Sequence, residues 1–151
     1  MLQCPVYELL GGPQKEKIFC YASGFDQEWY MELGFKATKL FCPYGPEHGM
    51  EGLRKLEKMV AETRQTIGDE VELMLDAWTA FDVEFTVRLA EVLKPYRLKW
   101  IEDCIPADDL VGYRSVRHRI PWQTLATGEH WYLPTVFATA AGQRLVDIFQ
   151  P

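Results

Sequence analysis

The sequence predicts an α/β fold in which parallel strands alternate with covering helices, as in part of a (β/α)8 barrel. Short apolar runs alternate along the chain with longer segments whose apolar residues recur at helical spacing. Crossover helices of about ten residues or more between strands are typical of parallel sheets. No glycine-rich dinucleotide or phosphate-binding fingerprint follows any predicted strand, which favours a barrel over a doubly wound sheet.

The first elements are marked by glycine and proline. Residues 5–12 predict a helix that ends at two glycines. Residues 18–22, rich in aromatic and β-branched side chains, predict the first strand, and Ser23-Gly24 closes it. Residues 36–41 predict the second strand, which a proline-rich loop ends.

The middle of the chain gives the clearest alternation. Residues 52–67 carry apolar side chains at helical spacing, and Gly68-Asp69 ends that helix before a strand at residues 71–75. A second helix is predicted to begin at Thr79, with Asp82 as its capping-box partner, and to end before Pro95. The next strand follows at residues 98–101.

The last third repeats the pattern. Residues 108–119 predict a weaker helix, residues 124–127 a strand, residues 134–142 a helix and residues 145–149 a further strand. The chain therefore predicts about five parallel strands and the beginning of a sixth.

Composition limits the partners. The chain has 151 residues, of which 48% are hydrophobic, and this is enough for the core of one domain spanning residues 1–151. Its net charge is −6 and its basic residues are scattered, which argues against nucleic acid and against anionic membranes as partners. We expect a cytoplasmic protein with reduced thiols, because neither a signal peptide nor a C-x-x-C pair is present.

Three acidic residues follow three consecutive predicted strands. Asp76 and Glu102 are 26 residues apart, and Glu129 lies 27 residues further on, close to the length of one βα repeat. Such residues meet at one rim of a barrel, where three carboxylates repel one another unless a cation neutralises them. Oxygen ligands suit Mg²⁺ or Mn²⁺ better than zinc. The alternative is that each acid caps a helix, although Glu is a poor capping residue.

Several segments resemble one family. They are LDAW at residues 75–78, KWIED at 99–103 and TGEH at 127–130, with PVYELLGG at 5–12, GF at 34–35, YGP at 44–46 and IFQP at 148–151. Together they resemble the mandelate racemase group of the enolase superfamily, and within it the rhamnonate dehydratases. The resemblance implies that Asp76, Glu102 and Glu129 bind Mg²⁺. It also implies removal of the proton α to a carboxylate, a metal-stabilised enediolate and loss of the β-hydroxyl.

The resemblance also assigns roles to three further residues. Many relatives carry Lys-x-Lys at the end of the second strand, whereas this chain has Lys39-Leu40-Phe41. Rhamnonate dehydratases likewise have one lysine there, so Lys39 is expected to act electrostatically near the substrate carboxylate; the alternative is a solvated lysine. His130 matches a histidine near the substrate that donates a hydrogen bond or shuttles a proton. Trp78 is a candidate wall of the sugar pocket or a packing residue.

The resemblance predicts an incomplete barrel. It implies that the N-terminal capping domain, the last strands and the histidine that acts as general base lie outside this chain. The leading hypothesis is dehydration of L-rhamnonate to its 2-keto-3-deoxy product by the complete protein, with this chain inactive alone. The alternatives are another acid-sugar dehydratase, a racemase or a non-catalytic truncated homologue. The expected partners are an acid sugar and further copies of the chain in a homo-oligomer.

Overall fold

One open sheet of six parallel strands forms the centre of the computed structural model, which describes residues 3–151. The strands pair in chain order: β1 (Ala22–Ser23), β2 (Ala37–Phe41), β3 (Glu72–Asp76), β4 (Ile101–Glu102), β5 (Leu125–Thr127) and β6 (Ile148–Phe149). Within the described residues, β1 and β6 each pair on one side only, so the sheet does not close. This confirms the predicted partial barrel with five to six parallel strands.

The connections are helical. The helices are α1 (Val6–Leu9), α2 (Gln27–Glu32), α3 (Gly49–Ile67), α4 (Val83–Leu93), α5 (Leu110–Arg119) and α6 (Pro134–Gly142). The predictions of α3, α5 and α6 agree with these bounds to within three residues, and the prediction of α6 matches at both ends. No helix among residues 3–151 is long and apolar enough to cross a membrane.

The two faces of the sheet are packed differently. Successive strand residues point to opposite faces, so Leu73 and Leu75 of β3 pack outward among the apolar side chains of α3 and α4. Met74, between them, points to the inner face. There it belongs to a small buried cluster with Ala37, Trp100 and Ala126. The inner face therefore has few apolar side chains, and at the carboxyl ends of the strands it carries polar ones.

The first predicted strand is wrong in its position. The structure has β1 at Ala22–Ser23, and residues 18–21 precede it outside the sheet. Ile18 is 80% exposed, so its β-branched side chain does not indicate a paired strand. The short helix α2 (Gln27–Glu32) was not predicted from the sequence, because six residues give too little apolar periodicity to detect.

The start of α4 also differs from the prediction. Thr79 was expected to begin this helix, but its φ of 63° is left-handed and the helix begins at Val83. Asp82 is the N-cap itself: its Oδ1 accepts a hydrogen bond from the backbone N–H of Phe85 at 2.7 Å. The spacing of Thr79 and Asp82 resembles a capping box, but the cap lies three residues further along.

Replacing Asp82 by alanine should lower the free energy of unfolding by about 1 kcal/mol, because one N–H of the first turn loses its acceptor. Urea denaturation of the chain measures this change. Asp26→Ala is the matched control, since Asp26 is the N-cap of α2 but makes no side-chain cap bond. Equal losses in the two variants would contradict the capping role of Asp82.

Candidate metal site and substrate cavity

Two of the predicted metal ligands lie side by side at the carboxyl ends of neighbouring strands. Asp76 ends β3, Glu102 ends β4, and the two are paired in the sheet register. Both are inner-face residues, since Met74 and Trp100, two positions earlier, belong to the inner cluster. Both are buried, and in such a place two carboxylates need a cation close by.

Lys39 supplies that cation within the chain. It lies on β2, and its Nζ is 2.9 Å from Asp76 Oδ2 and 2.5 Å from Glu102 Oε1. Burial acts to lower the pKa of Lys39, but the hydrogen bonds to Glu102 and Asp76 and the negative charges of these two carboxylates together outweigh burial and raise this pKa above its ordinary value. The side chain is therefore a buried ammonium. The alternative of a solvated strand-end lysine is wrong.

A second donor holds each of the two carboxylates. The backbone N–H of Trp78 donates to Asp76 Oδ1 at 3.0 Å. The indole Nε1–H of Trp100 donates to Glu102 Oε2 at 2.8 Å. Trp100 belongs to the KWIED segment that carries the family resemblance, but the sequence analysis gave it no role, although its position two residues before Glu102 places both side chains on one face.

The backbone directly after these strands adopts left-handed conformations. The φ angles are 46° at Trp78, 63° at Thr79 and 45° at Asp103. Such angles are unfavourable for residues with a side chain, and they cluster at functional sites in proteins. Three of the five such residues among residues 3–151 lie in the two loops that follow Asp76 and Glu102, and the other two are Arg97 and Arg144.

Glu129 is placed differently from the other two predicted ligands. The strand before it ends at Thr127, as the sequence predicts, so Glu129 lies two residues beyond β5, whereas Asp76 and Glu102 are the last residues of their strands. Its side chain is 49% exposed. Gly128 makes the turn with a φ of 136°, and a Cβ there would lie 3.0 Å from the backbone nitrogen of Gln150, so this position requires glycine.

Near Glu129 the structure forms a second polar group. His130 Nε2 is 3.4 Å from Glu129 Oε1 and 3.5 Å from Asp103 Oδ2. Within residues 3–151, His130 Nε2 and Asp103 Oδ2 are buried atoms that lack a well-formed hydrogen bond. The three side chains have ligand atoms within 4.8 Å of one another. Sequence reasoning gave Asp103 no role, and the only signal was its place directly after Glu102.

Asp103 is hydrogen-bonded to residues on the outer side of the sheet, where the helices pack. The hydroxyl of Thr127 donates to Asp103 Oδ1 at 2.5 Å, and Thr127 Oγ1 in turn accepts a bond from the buried Tyr113 hydroxyl at 3.2 Å. Burial raises the pKa of the Asp103 carboxyl, and the charge of Glu129 adds to this effect, against the hydrogen bond from Thr127. The loop after β4 is therefore tied to β5 and α5.

A cavity of about 450 Å³ opens at this end of the sheet. The residues that line it are Ser23, Lys39, Phe41, Cys42, Asp76, Trp78 and Glu129. Trp78 is 70% exposed, so its indole presents a large apolar surface at the opening. The cavity has the size of a small-molecule site and combines apolar walls with convergent charged groups.

The donor set of this cavity fits a hard divalent cation. Asp76 and Glu129 line the cavity, and Glu102 is buried beside Asp76 in the sheet register. All three offer carboxylate oxygens, which Mg²⁺ prefers. Among residues 3–151, however, the group of three whose ligand atoms lie within 4.8 Å of one another is Asp103, Glu129 and His130. The ammonium of Lys39 already lies between Asp76 and Glu102, which indicates that a positive charge is stable at this position. Among residues 3–151, Lys39 forms ion pairs with these two acids and not with Glu129, which lines the same cavity from the next strand.

Comparison with known proteins agrees with the fold. Residues 26–151 match the family described as "Enolase C-terminal domain-like". The structure of rhamnonate dehydratase from Gibberella zeae complexed with Mg superposes with a TM-score of 0.92 at 31% identity, over 97% of this chain and 36% of that one.

Two further solved structures are similar. The 3,6-anhydro-D-galactonate cycloisomerase from Zobellia galactanivorans has a TM-score of 0.86 at 28% identity, over 97% of this chain and 42% of the other. An enolase from Bradyrhizobium complexed with magnesium and mandelic acid has a TM-score of 0.80 at 31% identity, over 97% of this chain and 41% of the other. This chain thus spans less than half the length of these three proteins.

Proposed function

Because the chain belongs to the enolase C-terminal domain-like family, we propose that it carries the Mg²⁺ site of an acid-sugar dehydratase. Asp76, Glu102 and Glu129 are the proposed ligands. The observation that carries the proposal is the convergence of two buried carboxylates, Asp76 and Glu102, on one ammonium at the carboxyl end of the sheet.

In the proposed reaction, different residues of the chain would bind the metal, pair with the substrate and supply a proton. Bound Mg²⁺ would polarise the carboxylate of the substrate as a Lewis acid. Lys39, which its two carboxylate partners keep protonated, would pair with the negative charge on the substrate. His130 would donate a hydrogen bond or a proton at the rim, and Trp78 would pack against the sugar. The base that removes the α-proton is expected outside residues 1–151.

L-Rhamnonate is the proposed substrate. It is supported by the similarity to the rhamnonate dehydratase from Gibberella zeae and by the single lysine, Lys39, on β2. The product would be the 2-keto-3-deoxy acid that loss of the β-hydroxyl leaves.

Calorimetric titration of the chain with Mg²⁺ tests the metal site, and we expect binding at one site. Incubation of the same chain with L-rhamnonate should yield no 2-keto-3-deoxy acid, since the general base is expected outside residues 1–151. The longest chain that the gene encodes should yield it. The absence of Mg²⁺ binding would overturn the metal site, and inactivity of that longest chain on L-rhamnonate would overturn the substrate.

A further inference from the structure

The indole of Trp100 makes a hydrogen bond that the proposed mechanism does not use. Trp100 directly precedes β4, is 9% exposed and points to the inner face of the sheet. Its Nε1–H donates to Glu102 Oε2 at 2.8 Å, in a buried environment. An indole N–H is a donor only, so this bond is kept only while Glu102 presents an oxygen to it.

We propose that Trp100 is a positioning residue that fixes Glu102 as a one-oxygen metal ligand and thereby favours Mg²⁺ over Ca²⁺. This inference rests on the proposed function, because it requires that Glu102 bind the metal. It concerns the choice between two cations and not the chemistry of the substrate.

The two oxygens of Glu102 have different surroundings. Oε1 faces the ammonium of Lys39, which is also bound by Asp76, and so faces the position that a metal cation would occupy. Oε2 faces the indole of Trp100. A metal cation beside Asp76 would therefore be offered Oε1, while the hydrogen bond from the indole would hold Oε2 away from it.

Packing fixes the indole in this orientation. The ring of Tyr21 meets Trp100 edge to face, with 5.7 Å between ring centroids. On the inner face, Trp100 packs with Met74 and Ala126 in the buried cluster. Rotation of the indole away from Glu102 would break these contacts together with the hydrogen bond, so the donor remains in place when the cation changes.

The two cations differ in what they require. Mg²⁺ is small and needs near-octahedral geometry, whereas Ca²⁺ accepts more oxygens and binds carboxylates through one oxygen or both. A glutamate that can present only one oxygen is thus a better partner for Mg²⁺. Hydrogen bonds to the outer atoms of a ligand orient it, and their removal typically weakens metal binding.

Trp100→Phe tests the proposal, because phenylalanine keeps an aromatic ring but has no N–H. We expect its affinity for Mg²⁺ to fall by about 10-fold or more. The affinity for Ca²⁺ should fall by less, so the preference for Mg²⁺ over Ca²⁺ decreases. Calorimetric titration of the chain with each ion measures both. Trp122→Phe is the matched control: its indole lies over Lys94, away from the metal site, and both affinities should stay unchanged.

Each outcome separates this inference from the proposed function. If the unsubstituted chain binds no Mg²⁺, the metal site and this inference both fail. If it binds Mg²⁺ and Trp100→Phe binds equally well, only this inference fails. Equal losses for Mg²⁺ and Ca²⁺ would show a structural role and also overturn it. Should Trp100→Phe not fold, 3-benzothienylalanine at position 100, which keeps the indole shape without the N–H, takes its place under the same criteria.

Discussion

Replacing Lys39 by methionine should lower the free energy of unfolding by about 3–5 kcal/mol in metal-free buffer. Asp76 and Glu102 are buried, and the ammonium of Lys39 lies within ion-pair distance of both. Methionine fills a similar volume but carries no charge, so the variant retains two buried carboxylates with no cation between them. Chemical denaturation in the presence of a chelator measures the loss.

The same variant links stability to the metal. If Asp76 and Glu102 bind Mg²⁺, the ion restores the missing positive charge, and at about 100 times its Kd it should return roughly 2.7 kcal/mol. The matched control is Lys99→Met. Lys99 pairs with Glu72 at 2.8 Å, but both side chains are partly exposed, and such pairs contribute about 0–1 kcal/mol. A loss in Lys39→Met no greater than in Lys99→Met would contradict the buried triad.

Glu102→Gln should weaken Mg²⁺ binding by more than about 100-fold, since changes in groups that only orient a ligand already cost about 10–100-fold. The amide keeps the size of the side chain but loses the charge. Calorimetric titration of the variant beside the unsubstituted chain measures the change.

Glu72→Gln is the control for that experiment. Glu72 begins β3, the strand that Asp76 ends, and therefore lies at the opposite end of the sheet from the cavity. Its replacement should leave Mg²⁺ binding unchanged. Comparable losses in both variants would indicate a general effect of charge on the chain instead of a ligand role for Glu102.

The architecture could be predicted where the local pattern is long. Helix α3 has apolar residues at helical spacing over 19 residues, and these side chains pack on the outer face of the sheet. The prediction failed where the pattern is short. The run at residues 18–22 has the composition of a strand, yet most of it lies outside the sheet, because strand pairing depends on a partner strand and not on composition alone.

The candidate site could be predicted in part. The spacing of Asp76 and Glu102 placed them on neighbouring strands, and the register pairs them directly. Glu129 was expected at the same depth, but the turn at Gly128 carries it beyond the end of β5, beside His130 and Asp103. Its role as a ligand stays a prediction.

The sequence alone determined the alternation of strands and helices and the rim on which the acids lie, because both follow from periodicities and repeat lengths that are local to the chain. The tertiary structure decided which groups surround those acids. Lys39 meets Glu102 across 63 residues of sequence, and Asp103 meets Thr127 across 24. Contacts between residues that are distant in sequence depend on the pairing register of the strands and on the face of the sheet to which each side chain points. Both are determined only when the strands pair.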